Sequence, residues 1–458
     1  MKAWSLFILA LLPVVTLADA VDDVVKDELK KQGLPGVSIA VVKDGKLVRS
    51  AGYGVSNLET GTAATKDTVY EIGSITKQFT ATLVMMLVQE KKLTLDEQIT
   101  SIFPNLPTEW SGVTIRHLLT HTSGLPDYTD PKAFEFTYLA RNDFSFDQVL
   151  AQVTKLPMPF KFGEKFSYNN FGYYLLGRIV EKKSGKDYWS FLSERIFKPL
   201  GMSKSAPSNP KTIIPNRAHG YLRVGAQMQN ADAITSSSGF SAGSIVSTVE
   251  DMAKWEIAMG SEKLLPKSAW TQMWTPGTTN DGKRTSYGFG WAISDVNKHR
   301  VLMHSGGTVG FVTHSQNFPD DKLSVIVLTN AGSANPGRIA MRISGVYNKA
   351  LQPEEQKPIA DTEPEVAKLL QKAIAQVAAA KLDENMYTKE MFDTLTPILE
   401  QISPQIRSLG PVKKVELLSK SKAGDLRTYK YSVTFDQNAL TFNLTLTKEN
   451  KIAGLIAQ

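Results

Sequence analysis

The chain is 458 residues long, with 42% hydrophobic and 21% charged residues; this composition excludes a disordered or fibrous protein, and the length predicts two domains. The net charge of +7 comes from scattered basic residues without a long cationic run, so we expect no nucleic-acid partner. The absence of cysteine excludes disulfides, thiolate metal sites, a cysteine nucleophile and a lipid anchor on an N-terminal cysteine.

The N-terminus has the pattern of a signal peptide. Lys2 precedes an apolar stretch from Leu6 to Leu17, and Ala18-Asp19-Ala20 forms a small-residue cleavage site. The apolar stretch is too short to span a bilayer comfortably, and no later segment offers about 18 uninterrupted apolar residues. We therefore expect residues 1–20 to be removed, and the mature protein to be secreted or periplasmic without stable membrane insertion.

The next elements predict a mixed domain over residues 21–350. An amphipathic opening leads to a hairpin with strands Gly36 to Val42 and Leu47 to Ser50. One helical pattern begins after Gly73, and another runs from about Asn170 to a stop at Gly185.

Strand-like runs gather late in this domain. They are Tyr287 to Ile293, Val301 to His304, Phe311 to Gln316 and Leu323 to Thr329. An early hairpin and late strands that bracket a helical middle are typical of an α/β or α+β domain whose sheet is built from both chain ends.

A smaller domain is predicted after a linker. Residues 351–364 contain three prolines and several charged residues, a composition that cannot bury much surface. Two helical stretches follow, at about 364–380 and 388–402. Two runs that end in Phe435 and Thr447 then alternate strictly between apolar and polar residues, which predicts an antiparallel sheet with one buried face. We therefore predict a small α+β domain over residues 365–458.

Ser74-Ile75-Thr76-Lys77 is the first candidate for chemistry. Residues three apart share a helix face, so the Lys77 amine can reach the Ser74 hydroxyl. A serine needs such a base to become a nucleophile, and burial can lower the pKa of a lysine enough to supply one. Taken alone, the motif also fits two solvated surface residues, and the same pattern recurs at Ser419 to Lys422.

Two further motifs carry polar groups at element boundaries. Tyr168-Asn169-Asn170 offers a phenol whose ionised form a nearby lysine would favour, and an amide for a substrate carbonyl; a helix cap is the alternative. His304-Ser305-Gly306-Gly307 follows a predicted strand, where glycine would let a substrate approach the backbone closely. A tight turn beside a core histidine is the alternative there.

Two other patterns are interpreted as structural. Lys183-Ser184-Gly185 resembles a Lys-Ser/Thr-Gly motif, but it lies at the predicted end of a helix, where Gly185 is a natural cap. His117 and His121 are spaced by four residues, yet no acidic third ligand lies nearby. We therefore predict no metal site.

In this order, the three motifs resemble the class C β-lactamase and D-alanyl-D-alanine carboxypeptidase family of serine hydrolases, which also includes esterases and D-amino-acid peptidases. Flanking segments add to the resemblance: Tyr70–Gly73, His117–Leu125, Phe240–Ser244 and Tyr287–Trp291. The resemblance covers roughly residues 21–350 and implies a serine β-lactamase/transpeptidase-like fold, with an antiparallel sheet flanked by helices and a helical subdomain. The C-terminal domain lies outside it and resembles a nuclear-transport-factor-type fold.

The resemblance also implies roles for residues. Ser74 would be the nucleophile, Lys77 its activating partner and Tyr168 the general acid/base. Asn170 would position the substrate, and the backbone N–H groups of Ser74 and Gly307 would form the oxyanion hole. No cofactor would be needed.

His304, followed by Gly306, would stand where β-lactamases of this family carry a lysine. A histidine is only partly charged at neutral pH, which favours an esterase or D-amino-acid peptidase acting on a small ester, amide or peptide. A β-lactamase or D-alanyl-D-alanine carboxypeptidase remains an alternative. A penicillin-binding-like regulatory protein without turnover is a second one. The oligomeric state is left open.

Overall fold

The structure is a computed structural model that describes residues 17–130, 132–134, 141–225, 227–352, 356–396, 399–436 and 439–457. The chain divides into two compact units. The first comprises Met1–Tyr221 and Asn230–Pro353, and the second comprises Leu222–Gln229 and Glu354–Gln458. Most of the predicted signal peptide, residues 1–16, and part of the predicted linker, residues 353–355, lie outside the described residues.

The strands, in chain order, are β1 (Gly36–Lys43), β2 (Lys46–Asn57), β3 (Thr62–Ala63), β4 (Tyr70–Glu71), β5 (Ala206–Pro207), β6 (Tyr221–Val224), β7 (Gln227–Asn230), β8 (Ile245–Ser247), β9 (Ala292–Val296), β10 (His299–Thr308), β11 (Phe311–Phe318), β12 (Leu323–Thr329), β13 (Lys414–Ala423), β14 (Leu426–Thr434), β15 (Ala439–Leu446) and β16 (Ile452–Ala457).

The helices are α1 (Leu17–Gln32), α2 (Thr76–Gln89), α3 (Ile99–Ile102), α4 (Ile115–Leu119), α5 (Phe146–Val153), α6 (Asn170–Ser184), α7 (Tyr188–Leu192), α8 (Lys198–Leu200), α9 (Ser236–Gly243), α10 (Val249–Ala258), α11 (Lys267–Met273), α12 (Pro336–Tyr347), α13 (Pro364–Ala378), α14 (Lys389–Leu395) and α15 (Leu399–Ser408). A 3₁₀ turn at Gly73–Ile75 leads directly into α2. No helix among the described residues is both long and apolar enough to cross a membrane.

A seven-stranded antiparallel sheet organises the first unit, in the order β3-β2-β1-β12-β11-β10-β9. β1 pairs with β12 from Val37↔Thr329 to Lys43↔Leu323, so the sheet joins both ends of the unit, as the sequence predicts. β1 is buried on both faces because helices cover both. Val37, Ile39 and Val41 pack with α1 and α12, while Ala40 and Val42 belong to the larger core that contains α2 and α6.

The predicted mixed α/β class with an antiparallel sheet is confirmed, but the predicted strand Tyr287 to Ile293 is wrong. Only its last two residues belong to a strand, β9. The rest folds back on itself: Tyr287 forms an isolated bridge with Ala292, and Gly290 between them has a φ of 90°, which glycine adopts without strain.

The second unit has its own sheet, in the order β13-β14-β15-β16. Its buried face, which includes Tyr431, Phe442 and Leu444, packs with Leu370 and Ile374 of α13 in a separate core. The helix predicted at about 388–402 is two helices, α14 and α15, with residues 397–398 outside the described part. The nuclear-transport-factor-type resemblance stays a prediction.

The described end of the predicted linker is attached to this second sheet. The Ile359 N–H donates to the Leu417 carbonyl oxygen at 2.8 Å. The Tyr429 hydroxyl donates to Glu363 at 2.9 Å, and the Tyr431 hydroxyl to Asp361 at 3.3 Å. These contacts give Asp361 and Glu363 fixed partners.

Candidate active site

Ser74 and Lys77 lie one helical turn apart at the start of α2. The Lys77 Nζ is 2.9 Å from the Ser74 Oγ, 2.9 Å from the Asn170 Oδ1 and 2.8 Å from the Ala242 carbonyl oxygen. The last two oxygens can only accept, so they take two hydrogens of the amine. A neutral amine therefore has its lone pair left for the Ser74 hydroxyl, and in that form Lys77 can accept the serine proton.

The environment of Lys77 favours the neutral form. Its side chain is 0% exposed, and burial lowers the pKa of Lys77 to about 7 because a charged amine loses its hydration. The negative charge of Asp127 acts in the opposite direction on the Lys77 pKa. Lys77 is thus available as a base near neutral pH.

The segment that supplies the Ala242 carbonyl is attached to the same helix. Thr76 accepts the Ile245 N–H at 3.2 Å, and Thr80 donates to the Ser241 carbonyl at 2.6 Å. Thr76 and Thr80 are four residues apart on one face of α2, and Thr80 is also one turn from Lys77. Within α9, Phe240 has a non-helical φ of 38°, a strained value for this residue.

Tyr168 lies just before α6; the residue as a whole is 41% exposed, while its hydroxyl group is buried. The Lys77 Nζ lies 4.8 Å from the Tyr168 ring centroid. Burial of the phenol raises the pKa of Tyr168, although a hydrogen bond with Ser74 acts against this rise. The expectation of a favoured phenolate is therefore wrong, because loss of hydration dominates. Tyr168 rests as a phenol that can donate a proton.

Asn170 is held at the first turn of α6 by Asp127. The Asn170 N–H donates to the Asp127 Oδ2 at 2.5 Å, and burial raises the pKa of the Asp127 carboxyl. Since the Asn170 Oδ1 is occupied by Lys77, its amide nitrogen is the group it can offer to a substrate. Asp127 is not among the residues predicted from the sequence. Its only signal is its place shortly after the His117–Leu125 segment.

Gly306 and Gly307, adjacent in β10, serve different purposes. A Cβ on Gly306 would stand 1.9 Å from the Ile72 carbonyl oxygen, whereas a Cβ on Gly307 would meet no atom within 4 Å. Gly307 lines the cleft beside Ser74, and Gly306 does not. The structure therefore places Gly306 in the packing between β10 and the segment before Ser74, and not among groups that can touch a substrate.

His304 lies behind the cleft and not in its wall. Its Nδ1 contacts the Ser305 carbonyl oxygen at 2.6 Å, so this nitrogen carries the proton, and its Nε2 accepts from the Tyr287 hydroxyl at 2.8 Å. Burial, with help from Lys77, lowers the pKa of His304 to about 3. Both ring nitrogens are occupied within the protein and the ring is uncharged at neutral pH, so the structure does not bring His304 into the lining of the cleft, where a substrate contact is predicted.

An open cleft of about 130 Å³ lies above Ser74. Asn170 and Gly307 flank the serine, and Tyr128, Ile234 and Val309 supply apolar surface. None of the described residues that line the cleft carries a charged side chain. A neutral, partly apolar group therefore suits this cleft better than a carboxylate.

The two patterns set aside as structural have local partners. Lys183 pairs with Glu97 at 2.6 Å, and Gly185 caps α6 with a φ of 72°. His117 Nδ1 accepts the Thr114 N–H at 3.1 Å, and His121 Nδ1 accepts the Asn169 N–H at 3.1 Å. His121 thereby adjoins the Tyr168 segment, a relationship that its spacing from His117 did not predict.

Comparison with known protein families gives one model, described as Beta-lactamase, that matches residues 21–345. Penicillin-binding protein 4* of Bacillus subtilis (strain 168) is 27% identical over 310 residues, which are 64% of this chain and 67% of that protein. Protein flp of Staphylococcus aureus (strain N315) is 27% identical over 325 residues, 68% of this chain and 63% of that protein. The chain thus spans about two thirds of the length of these curated relatives.

Solved structures share the fold. The octameric penicillin-binding protein homologue from Pyrococcus abyssi matches with a TM-score of 0.65 and 22% identity, over 96% of this chain and 98% of that one. The D-amino acid amidase from Ochrobactrum anthropi SV3, complexed with L-phenylalanine, matches with a TM-score of 0.65 and 24% identity, over 73% of this chain and 99% of that one. At these identities the likeness concerns the fold alone.

Proposed function

Because the chain belongs to the beta-lactamase family of serine hydrolases, we propose that it cleaves an ester or amide through an acyl-enzyme on Ser74. One observation carries this proposal: the Lys77 Nζ is 2.9 Å from the Ser74 Oγ while its other two contacts are oxygens that only accept. A buried amine with a free lone pair against a serine hydroxyl at the floor of an open cleft is an arrangement for nucleophilic attack.

In acylation, the Ser74 proton passes to Lys77 as the Ser74 Oγ attacks the substrate carbonyl carbon. The backbone N–H groups of Ser74 and Gly307 stabilise the negative carbonyl oxygen. Tyr168 gives its proton to the leaving group as the bond to that group breaks, and the Lys77 ammonium then returns a proton to Tyr168. Ser74 is left acylated, with Lys77 neutral and Tyr168 protonated as before.

Deacylation runs the same proton path in reverse. Water loses a proton toward Tyr168 and Lys77 as its oxygen attacks the ester carbonyl. The tetrahedral intermediate collapses, the Ser74 oxygen recovers a proton and the acid product leaves. All protons balance without a cofactor.

The electrostatics of the cleft favour a substrate without a free carboxylate, of the esterase or D-amino-acid peptidase type. His304 is uncharged because its pKa is about 3, so the position that carries a lysine in the β-lactamases provides no cation. The lining residues within the described part of the chain carry none either. The amidase fold neighbour acts, by its name, on D-amino acid amides, which lack a free carboxylate.

A penicillin-directed activity is the second candidate, since relatives include Penicillin-binding protein 4*. As a β-lactamase or D-alanyl-D-alanine carboxypeptidase, the protein would have to hold a substrate carboxylate without a lysine at position 304. An uncharged cleft would then be acylated slowly by penicillin, and little turnover of that acyl-enzyme would indicate a binding protein.

The test is a substrate panel on the purified protein: nitrophenyl esters of increasing acyl length, D-amino acid amides, a chromogenic cephalosporin and a D-Ala-D-Ala peptide. We expect turnover of esters or amides, lost in Ser74→Ala, with the acyl group found on Ser74 by mass spectrometry. Ser419→Ala is the matched control, because Ser419 begins the other Ser-x-x-Lys sequence of the chain. Full activity in Ser74→Ala would end the proposal.

We also propose export to the periplasm or the medium, from the apolar stretch Leu6 to Leu17 and the small residues before Val21. Val21 is the first residue of α1 that is buried, so cleavage after Ala20 would leave the packed part of the helix intact. Mass spectrometry of the protein from a culture should find Val21 as its N-terminus, and an intact Met1 would contradict export by cleavage.

A further inference from the structure

His121 binds the peptide on both sides of Tyr168. Its carbonyl oxygen accepts the Ser167 N–H at 2.9 Å, and its Nδ1 accepts the Asn169 N–H at 3.1 Å. The residues immediately before and after Tyr168 are therefore attached to one and the same residue. The His121 ring also lies against the Tyr168 ring, with 4.3 Å between the centroids.

The backbone of His121 is strained. Its φ is 55°, in the left-handed region that costs free energy for any residue with a Cβ. Such a conformation persists only where the surroundings determine it. In this conformation, the two acceptors of His121, its carbonyl oxygen and its Nδ1, bind the residues on either side of Tyr168.

The state of the His121 ring follows from its contacts. Because Nδ1 accepts a hydrogen bond, the proton of the neutral ring is on Nε2. Burial is the main reason that the pKa of His121 lies well below its ordinary value, so the ring stays neutral. Its Nε2 is buried and has no hydrogen-bond partner among the residues that the structure describes.

The His121 ring lies among tyrosine rings. The centroids of Tyr168, Tyr287 and Tyr173 are 4.3, 4.6 and 5.0 Å from that of His121. A buried donor without an acceptor is unfavourable in the resting protein.

We propose that His121 is the positioning residue of Tyr168: it fixes the phenol by the backbone contacts on both sides and by the imidazole ring that lies against the phenol ring. This rests on the proposed function, in which Tyr168 protonates the leaving group. His121 itself touches no reacting atom. It acts through Tyr168, so its removal should matter only when the leaving group needs a proton.

The test uses esters of one acid with leaving groups from nitrophenol to a simple alcohol. In His121→Asn, asparagine tolerates the left-handed φ and its Oδ1 can replace Nδ1 as acceptor, but the ring is lost. We expect kcat/KM within about threefold of wild type on the nitrophenyl ester and about 100-fold lower on the alkyl ester, since general acid catalysis contributes about 10²–10⁴-fold where it is needed.

Tyr168→Phe should show the same leaving-group dependence, and the double variant should lose no more than Tyr168→Phe alone, because two residues that act as one unit are not additive. His117→Asn is the matched control. His117 lies in the same segment, and its Nδ1 also accepts a backbone N–H, that of Thr114. We expect its effect to be equal across the ester series.

Equal losses of His121→Asn on all esters, or losses that add to those of Tyr168→Phe, would overturn the proposal and leave His121 a stabilising residue. Failure of the proposed function would give a different result: no ester would be hydrolysed, or Ser74→Ala would stay active. In that case NMR of protein with ring-labelled tyrosine decides. The Tyr168 signal, assigned by its absence in Tyr168→Phe, should shift in His121→Asn and not in His117→Asn, and an unshifted signal would overturn the positioning role.

Discussion

A Cβ atom on Gly73 would lie 2.7 Å from the backbone nitrogen of Gly307. Gly73 has a φ of 52°, so both its conformation and this close approach require glycine. The contact joins the residue before Ser74 directly to β10. It thereby sets the spacing between the Ser74 and Gly307 amides, the two groups proposed to hold the carbonyl oxygen of the substrate.

The neighbouring glycines of β10 should respond in opposite ways to alanine. In Gly306→Ala, the Cβ would be 1.9 Å from the Ile72 carbonyl oxygen, so we expect a loss of about 2 kcal/mol in the free energy of unfolding, as for other overpacked sites. In Gly307→Ala, the methyl group enters the open cleft. Urea unfolding should then resemble wild type, while kcat/KM falls about tenfold. Equal destabilisation by both would contradict this packing.

The activity should depend on the ionisation of Lys77. The pKa of Lys77 is about 7, and only the neutral amine can accept the Ser74 proton. Below pH 7 the ammonium predominates, so kcat/KM should fall tenfold per pH unit, and above pH 7 it should level off. Lys77→Arg keeps its charge at every pH and should lose about 10³-fold or more, without the rise near pH 7. A flat wild-type profile from pH 5 to 9 would exclude Lys77 as the base.

Asp127 should set the midpoint of that profile. Its negative charge raises the pKa of Lys77 against the larger effect of burial. Asp127→Asn removes the charge but keeps an oxygen that can accept the Asn170 N–H. We therefore expect the midpoint of kcat/KM to move to lower pH, with little change in the plateau. A midpoint that moves upward, or stays where it is in the wild type, would contradict the assigned influence of Asp127.

The sequence predicted the local parts of this site better than the distant ones. Ser74 and Lys77 are three residues apart, so helix geometry alone brings them together. The other contacts of Lys77 are 93 residues away at Asn170 and 165 residues away at Ala242. A backbone carbonyl such as that of Ala242 leaves no residue-type signal, because every residue has one.

His304 and Tyr287 show a second limit of prediction from the sequence. The motif that begins with His304 predicts a position on the strand beside the cleft, β10. Whether the side chain lines the cleft depends on the groups that it contacts. Here Tyr287, 17 residues earlier, occupies the Nε2 of His304. The segment that contains Tyr287 is apolar and glycine-rich enough to resemble a strand, and only the turn at Gly290 distinguishes it.

Buried histidines should make the fold sensitive to acid. The pKa of His314 is about 4, because the ring is buried and loses hydration, compared with an ordinary value near 6.5. The unfolded chain therefore takes up a proton between about pH 6.5 and 4 that the folded protein does not, and stability is lost as the pH falls through that range. The slope is about 1.4 kcal/mol per pH unit.

His314→Gln should remove this contribution. Glutamine keeps a polar side chain near the Ser305 hydroxyl, which lies 2.8 Å from the His314 Nδ1, but it does not titrate. The free energy of unfolding in urea, measured from pH 6.5 to 4.5, should fall less steeply by about 1.4 kcal/mol per pH unit than in wild type. Parallel curves for the two proteins would show that His314 is protonated in the fold.

Two adjacent carboxylates of α1 should differ in their contribution to stability. Glu28 is 0% exposed and accepts from the Arg338 Nε at 3.0 Å and the Arg342 Nη1 at 2.6 Å. Asp27 is 37% exposed and pairs with Lys31 and Arg342 near the surface. Removing the buried Glu28 carboxylate leaves Arg338 without this acceptor and Arg342 with Asp27 alone, so Glu28→Ala should cost about 2 kcal/mol. Asp27→Ala should cost less than about 1 kcal/mol, because water screens an exposed pair.

Urea unfolding at neutral pH measures both variants, and the difference between them is the informative quantity. Both substitutions remove one negative charge from the same turn of α1, so net charge changes equally, and the helix propensities of Asp and Glu differ by only about a few tenths of a kcal/mol. A clearly larger loss in Glu28→Ala therefore reports the buried contact between α1 and α12. Equal losses would mean that the apolar contacts of Val21 and Val25 hold α1 in place without the help of Glu28.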